Sequence, residues 1–289
     1  MVKVLVTGEK GYIGTQLKKW FDQKETDYQV DFLPVRDEQW KMYSFEQYDI
    51  IIHAAGIAHQ KVTEENKQLY HYVNCRLTGE LAKKALQEGV SQFIFLSSMS
   101  VFGENNRRKK IIRITANTTP NPSTEYGKSK LDGESELHKL RTGPMKIAII
   151  RPPMVYGKGA KGNYNLLKSI ALKLPILPII SNERSMIYID NLCEFIYLTI
   201  KHQKSGVFHP QNAQYVSTTQ MMQQIVKANH RKKLFTRLMI PFIVMLRNIS
   251  NKAVKAFGTM TYDMDMSDEF DFSYCITEFD ESIITTEMD

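Results

Sequence analysis

Tyr126 and Lys130 stand four residues apart in Tyr126-Gly127-Lys128-Ser129-Lys130. In a helix this places a phenol and an ammonium on one face, about 6 Å apart along the axis. A lysine so placed, above all beside an oxidised nicotinamide, stabilises the phenolate and draws the tyrosine down from its usual value of about 10. Such a pair can give and take a proton near neutral pH. The spacing also occurs on solvated helices, so it needs company.

Two stretches supply it. Lys3-Val4-Leu5-Val6 reads as a short buried strand, followed at once by Thr7-Gly8-Glu9-Lys10-Gly11-Tyr12-Ile13-Gly14, and the residues through Lys24 read as an amphipathic helix. Strand, glycine turn and helix start together aim backbone N–H groups and a helix dipole at a pyrophosphate. Further on, the apolar strand Phe93-Ile94-Phe95-Leu96 runs into Ser97-Ser98-Met99-Ser100, and the carboxyl end of a parallel strand faces the ligand crevice. Ser98 precedes Tyr126 by 28 residues, so one loop and a helix start can bring their hydroxyls together. Alone, these serines would only cap their own turn.

Alternating strands and helices up to about Asp190 predict a parallel sheet with helices on both faces. A helix over 74–87 carries Leu77, Leu81 and Ala85 on one face, and a proline-broken loop over 118–124 delivers Tyr126 to a helix start. The second strand reads as Val30–Val35, ending at Arg36-Asp37. An acid there holds a ribose 2′-hydroxyl and an arginine accommodates a 2′-phosphate. Arg36 comes first, which favours NADP over NAD, although Asp37 reverses the choice if the strand ends elsewhere. The run Arg107-Arg108-Lys109-Lys110 reads as a solvated loop, with a place over the cofactor phosphate as the alternative.

Together these residues resemble the extended short-chain dehydrogenase/reductase family of nucleotide-sugar epimerases, dehydratases and reductases. The resemblance spans roughly residues 2 to 212. It also rests on His53-Ala54-Ala55-Gly56 after Ile50-Ile51-Ile52, on Val73-Asn74 opening a helix, on Ile150-Arg151-Pro152-Pro153-Met154-Val155-Tyr156-Gly157, and on Arg184-Ser185-Met186-Ile187-Tyr188-Ile189-Asp190. It implies an α/β, Rossmann-like doubly wound parallel sheet with a smaller carboxyl-terminal α/β substrate lobe. The expected division is 1–160 with 186–203 for the dinucleotide domain, and 161–185 with 204–289 for the lobe. By the same resemblance, Gly8, Gly11, Tyr12, Ile13, Gly14, Arg36, Asp37, Ala54, Ala55, Gly56, Asn74 and Pro153 hold the cofactor, together with Tyr126 and Lys130.

The chemistry implied is oxidoreduction at C4 of a nucleotide sugar. The tyrosine exchanges a proton with the C4 oxygen, Ser98 hydrogen-bonds that oxygen, and Lys130 binds the nicotinamide ribose. Ser98, Met99, Asn163 (or Asn165) and Arg184 are the expected substrate contacts, with UDP the favoured nucleotide. Arg184 suits the diphosphate because a guanidinium matches phosphate geometry. His53 and His59 are expected in core or wall roles. Dehydratases of the family carry an acidic pair after the catalytic hydroxyl residue; Met99 and Ser100 stand here, so dehydration is not expected. The segments 54–59 and 97–104 look most like reductases of UDP-4-keto-6-deoxy-N-acetylhexosamines, with a UDP-sugar 4-epimerase retaining NAD as the alternative. A sensor or scaffold that binds dinucleotide without turnover is disfavoured by the intact Ser/Tyr/Lys set.

Composition agrees. Lys+Arg 38 against Asp+Glu 31 gives +7 over 289 residues, enough chain for a domain and a lobe. This mild basic excess suits a phosphorylated substrate, and no nucleic-acid-binding module is readable. Cys75, Cys193 and Cys275 form no metal-ligand pair, and with no leader or long apolar span the expected setting is a reducing cytoplasm. No metal is expected, and a homodimer is an option that relatives suggest. The carboxyl third departs from the family: residues 227–258 hold eight Lys or Arg and no acid, and 259–289 hold ten acids and no Lys or Arg. The apolar run Leu238–Leu246 is too short to span a bilayer. It is expected as a core helix with the acidic segment packed on or screening the basic one, membrane-surface contact through 227–258 being the alternative.

Overall fold

The computed structural model describes residues 1–24, 27–58, 63–103, 111–160 and 162–288. His59 and the Arg107–Lys110 run lie outside them. The strands are β1 (Val2–Thr7), β2 (Tyr28–Leu33), β3 (Ile50–His53), β4 (Gln92–Leu96), β5 (Ile111–Ile114), β6 (Lys146–Ile150), β7 (Met154–Tyr156), β8 (Ile176–Pro178), β9 (Met186–Tyr188), β10 (Gly206–Phe208), β11 (Leu234–Thr236) and β12 (Thr259–Tyr262). The helices are α1 (Tyr12–Gln23), α2 (Glu64–His71), α3 (Leu77–Gln87), α4 (Glu125–His138), α5 (Asn163–Lys173), α6 (Ile189–Lys201), α7 (Thr218–Ala228), α8 (Ile240–Ile249), α9 (Asn251–Phe257) and α10 (Phe279–Glu287).

Six strands form the main sheet in the order β10-β6-β4-β3-β1-β2, every pairing parallel. Alternate side chains leave opposite faces of a strand, and both faces here are covered. Val4, Val6, Ile50, Ile52, Ile94 and Ile150 pack toward Leu17 and Trp20 of α1 and Leu192 and Ile196 of α6. Leu5, Ile51, Phe93, Phe95 and Ile149 pack on the opposite side with Leu77, Leu81 and Ala85 of α3, the helix face expected from the sequence. The chain crosses from β1 outward to β2, then returns to build β3, β4, β6 and β10 on the other side of β1. That reversal opens a crevice at the carboxyl ends of β1 and β3. The expected doubly wound parallel sheet is therefore the fold.

Four local expectations are corrected. β2 ends at Leu33 rather than Val35, because Pro34 offers no N–H to extend the ladder. Asn74 does not open a helix; it lies inside a π turn, Tyr72–Arg76, that splices α2 to α3. Gly206–Phe208, assigned above to the lobe, is the outermost strand of the main sheet. The apolar run ending at Leu246 is not a core helix: in α8 Ile243 is buried, whereas Phe242, Val244 and Met245 are exposed.

Outside the main sheet, short parallel pairs join β8 with β11, β7 with β9 and β5 with β12; β5, β7 and β9, assigned above to the dinucleotide domain, are therefore not strands of its sheet. Glu287 of α10 pairs with Lys168 at 2.8 Å and Glu269 with Lys204 at 2.6 Å. Glu287 also accepts from Asn229, within the basic run, at 2.7 Å, and Phe279 and Ile283 share a core cluster with Ile243 and Phe257.

Candidate active site

The β1–α1 turn is shaped by two glycines that nothing else can replace. Gly8 has φ +89°, and a Cβ there would lie 2.5 Å from the Ala55 nitrogen. A Cβ on Gly14 would lie 2.2 Å from the Gly8 carbonyl oxygen, while the Gly11 N–H donates to that same oxygen at 2.8 Å. The turn is thereby pressed onto the Ala54-Ala55-Gly56 exit of β3. No side chain caps α1 and no acid sits in its first turn, so its leading N–H groups suit an anionic group. The cradle fits a dinucleotide pyrophosphate.

Asn74 acts from behind this exit. Its Nδ2 donates to the Ile57 carbonyl at 3.0 Å and to Ser129 Oγ at 3.0 Å, and its Oδ1 accepts from the Ile57 N–H at 3.0 Å. Fully buried, it pins the backbone of the β3 exit to α4 and is not part of the cleft wall. A Cβ on Gly133 would lie 2.3 Å from the Asn74 carbonyl oxygen, so α4 can approach the π turn only with glycine there.

The first turn of α4 is positioned just as closely. Thr124 caps it, accepting from the Gly127 N–H at 3.1 Å, and a Cβ on Gly127 would lie 2.5 Å from the Ser100 carbonyl oxygen. α4 thus begins on the turn Met99–Phe102, whose own cap is Ser98, accepting from the Ser100 N–H at 3.1 Å. Ser98, Tyr126 and Lys130 consequently line one cavity of about 370 Å³. Gly11, Tyr12, Ile13, Ala54, Gly56, Met99, Pro153, Asn163 and Arg184 line it too. Asn165 is exposed and outside the lining, so Asn163 is the amide that reaches the cleft.

Lys130 donates to the Leu96 carbonyl oxygen at 2.7 Å and lies 4.5 Å from the Phe95 ring centre. Burial pulls its ammonium down to about 7, with Glu134 opposing the shift. Arg184 donates from Nη1 to the Gly258 carbonyl oxygen at 3.0 Å. Lys130 and Arg184 are the charged residues of the lining, both cationic, and no carboxylate joins them among the described residues. Such a cavity selects an anionic ligand.

Besides Asn74, Arg36 and Asp37 of the expected cofactor set lie away from the cavity lining. Arg36 and Asp37 are exposed and do not line the cavity, and Asp37 accepts from the Gln39 N–H at 3.1 Å to cap a short 3₁₀ turn. With β2 ending at Leu33, Arg36 is not the first residue after the strand, and the argument for NADP from that adjacency falls. His53 has the expected core role: its ring lies 2.7 Å from Thr7 Oγ1 and 3.1 Å from Thr78 Oγ1, and burial pushes it down to about 3. Among the described residues, no group of three or more His, Cys, Asp or Glu could hold a metal ion, and no helix is long and apolar enough to cross a membrane.

Sequence reasoning missed a buried support beneath the site. Glu134 accepts from Arg151 Nε at 3.0 Å and Nη2 at 2.5 Å, and from the Ser97 hydroxyl. Glu134 falls at the third position of Tyr126, Lys130, Glu134, spaced by four along one helix face; that periodicity was the available signal. Val254, Thr259 and Met260 also line the cavity, and nothing in the region that departs from the family marked them.

Comparison with known proteins agrees with this geometry. A profile of the "NAD dependent epimerase/dehydratase family" matches residues 4–212. The UDP-glucose 4-epimerase of Vibrio cholerae is 32% identical over 251 residues, 78% of this chain and 75% of that protein. An Escherichia coli O157:H7 relative, N-acetyl-alpha-D-glucosaminyl-diphospho-ditrans,octacis-undecaprenol 4-epimerase, is 31% identical over 70% of this chain and 64% of its own. In three dimensions, UDP-glucuronic acid 4-epimerase from Bacillus cereus in complex with NAD superposes with a TM-score of 0.73, at 20% identity, over 99% of this chain and 97% of that one. A glycine cradle, a Ser/Tyr/Lys cavity and a profile match over most of the chain lead to one conclusion: this protein is an enzyme of the NAD-dependent epimerase/dehydratase family.

Proposed function

We propose that the protein moves hydride and proton at C4 of a sugar carried on a diphosphate. The observation that carries this reading is the single cavity shared by Ser98, Tyr126, Lys130 and Arg184 beside the glycine cradle. A bound nicotinamide dinucleotide supplies the hydride acceptor and donor. The Gly8–Gly14 turn and the uncapped start of α1 would hold its pyrophosphate, with Ala54, Gly56 and Pro153 as walls. Tyr126 would carry the proton to and from the C4 oxygen while Ser98 hydrogen-bonds it, positioned transfer worth about 10²–10⁴-fold. Lys130, fixed to the end of β4 and drawn down to about 7, would set the charge facing the phenol. Arg184 and Asn163 would take the diphosphate.

Epimerisation is the leading reading, because the two relatives described above both bear 4-epimerase names. The carrier is read as UDP from the first and as a polyprenyl diphosphate from the second. Reduction of a UDP-4-keto-6-deoxy-N-acetylhexosamine is the second reading. The resemblance of segments 54–59 and 97–104 to such reductases supports it. Dehydration is not supported, since no carboxylate lines the cavity among the described residues.

The test begins with protein purified without added cofactor. An epimerase releases NAD on acid denaturation and interconverts UDP-glucose or UDP-N-acetylglucosamine, or their 4-epimers, with no net change in NADH absorbance. A reductase consumes one NADPH per turnover, and only with a 4-ketosugar. Dinucleotide binding with no turnover on the UDP-sugars, a polyprenyl-diphosphate N-acetylhexosamine or the 4-ketosugar would overturn both readings and leave a binding protein.

A further inference from the structure

We propose that the outward face of α8 docks on an anionic membrane surface. Phe242 and Met245 of α8 are 50% and 51% exposed, and their spacing of three places them side by side on the helix; Leu238, in the turn that leads into α8, is 89% exposed. Ile243, 6% exposed, enters the core, and Leu246 packs against that core beside it. A surface helix normally carries polar residues opposite its buried stripe; α8 carries apolar ones on both sides. The strand leading into it adds Leu234, 62% exposed and paired in register with the exposed Ile176 of β8.

Charge decides between occupants. Arg231, Lys232 and Arg237, on the segment that leads into α8, are exposed, and residues 227–258 contain no acid. A second copy meeting this face about a two-fold axis would bring the same cations together at a cost. A layer of anionic headgroups instead neutralises them, while the stripe enters the headgroup–acyl boundary. α8 is ten residues, about 15 Å, enough to lie in the interface and too short to cross it. One residue, Ser250, separates α8 from α9, and Val254 of α9 lines the cavity. Docking would therefore hold the cavity beside the headgroup layer, where a lipid-carried diphosphosugar is presented; only that last clause rests on the function proposed above.

The experiment is co-sedimentation of the full chain with phosphatidylglycerol/phosphatidylcholine vesicles and with phosphatidylcholine vesicles, at low and high salt. Binding is expected to the anionic vesicles, falling as salt rises, with little to the neutral ones. The variant Phe242→Asp/Met245→Asp should lose about tenfold or more in partitioning while keeping the wild-type circular dichroism and melting temperature. Arg231→Glu/Lys232→Glu/Arg237→Glu, which leaves the helix untouched, should bind anionic vesicles no better than neutral ones. Wild-type protein left in the supernatant at low salt, or a double variant that sediments like wild type, overturns the proposal. So does a variant that turns a dimer into a monomer by light scattering while the wild type ignores vesicles, which would make the face a protein interface. None of these readouts requires turnover, so failure of the C4 reading leaves this test intact.

Discussion

The Lys130 ammonium is held 2.7 Å from the carbonyl oxygen of Leu96, the last residue of β4. Ser98 follows Leu96 by two residues, so the strand end that presents the hydroxyl also anchors the lysine. Tyr126, one turn before Lys130 on α4, enters the cavity between these fixed points. The set is positioned by backbone and needs no mobile side chain to assemble it.

Replacing Tyr126 with Phe keeps the ring and removes only the hydroxyl proposed to carry the proton. The expected outcome is a fall in kcat of about 10²–10⁴-fold with dinucleotide affinity unchanged, read by steady-state kinetics and cofactor fluorescence titration. A near-wild-type rate would remove Tyr126 from the chemistry.

Gly14→Ala sets a Cβ against the Gly8 carbonyl at 2.2 Å, and backbone must move to admit it. Overpacking of this kind costs about 1–3 kcal/mol, here at the pyrophosphate cradle. The melting temperature should fall and dinucleotide affinity with it. Gly89→Ala makes a useful control for strain alone, since Gly89 has φ +81° but meets nothing within 4 Å.

The Glu134–Arg151 pair is almost wholly buried, with side chains 1% and 10% exposed. Removing one member leaves an uncompensated charge, which costs about 3–5 kcal/mol. Glu134→Ala should show that loss in urea denaturation. Glu134→Ala/Arg151→Met should recover much of it, and a double variant no more stable than the single would show that the charge is not the cause.

His53 and His209 are both pushed down to about 3 from the usual 6.5, by burial first and then by Lys130 and Arg151 respectively. Between those values the unfolded chain binds more protons than the folded one. Stability is therefore fully present above pH 6.5 and is lost as pH falls toward 3, with a slope approaching about 1.4 kcal/mol per pH unit for each ring. Urea midpoints measured across pH 7 to 4 check this, and His209→Phe should reduce the slope by about one proton.

How far the sequence spoke depended on the range of the interaction. The glycine turn, the Ser98 strand end and the Tyr126–Lys130 pair are local patterns, and all three appear where their spacing put them. Asn74 was visible as a residue but not as a clamp, because a π turn has no sequence period and its partners Ile57 and Ser129 lie 17 and 55 residues away. The end of β2 was misplaced by two residues, Leu33 rather than Val35, because Pro34 stops the ladder. The apolar run in α8 has the composition of a core helix; only the third dimension shows that a single stripe of it, at Ile243 and Leu246, finds a core to enter.

β5 and β12 join chain segments from opposite halves of the molecule, Ile111 beside Thr259 through Ile114 beside Tyr262. β5 lies between Ser98 and Tyr126 in sequence, and the Tyr262 hydroxyl donates to the Arg151 carbonyl at 2.9 Å. Arg184 bridges to Met260 on the same strand. The carboxyl-terminal strand therefore ties the backbone at Arg184 to the strand that precedes Tyr126. A chain clipped before residue 259 forfeits this clasp even though Ser98, Tyr126, Lys130 and Arg184 are all still aboard.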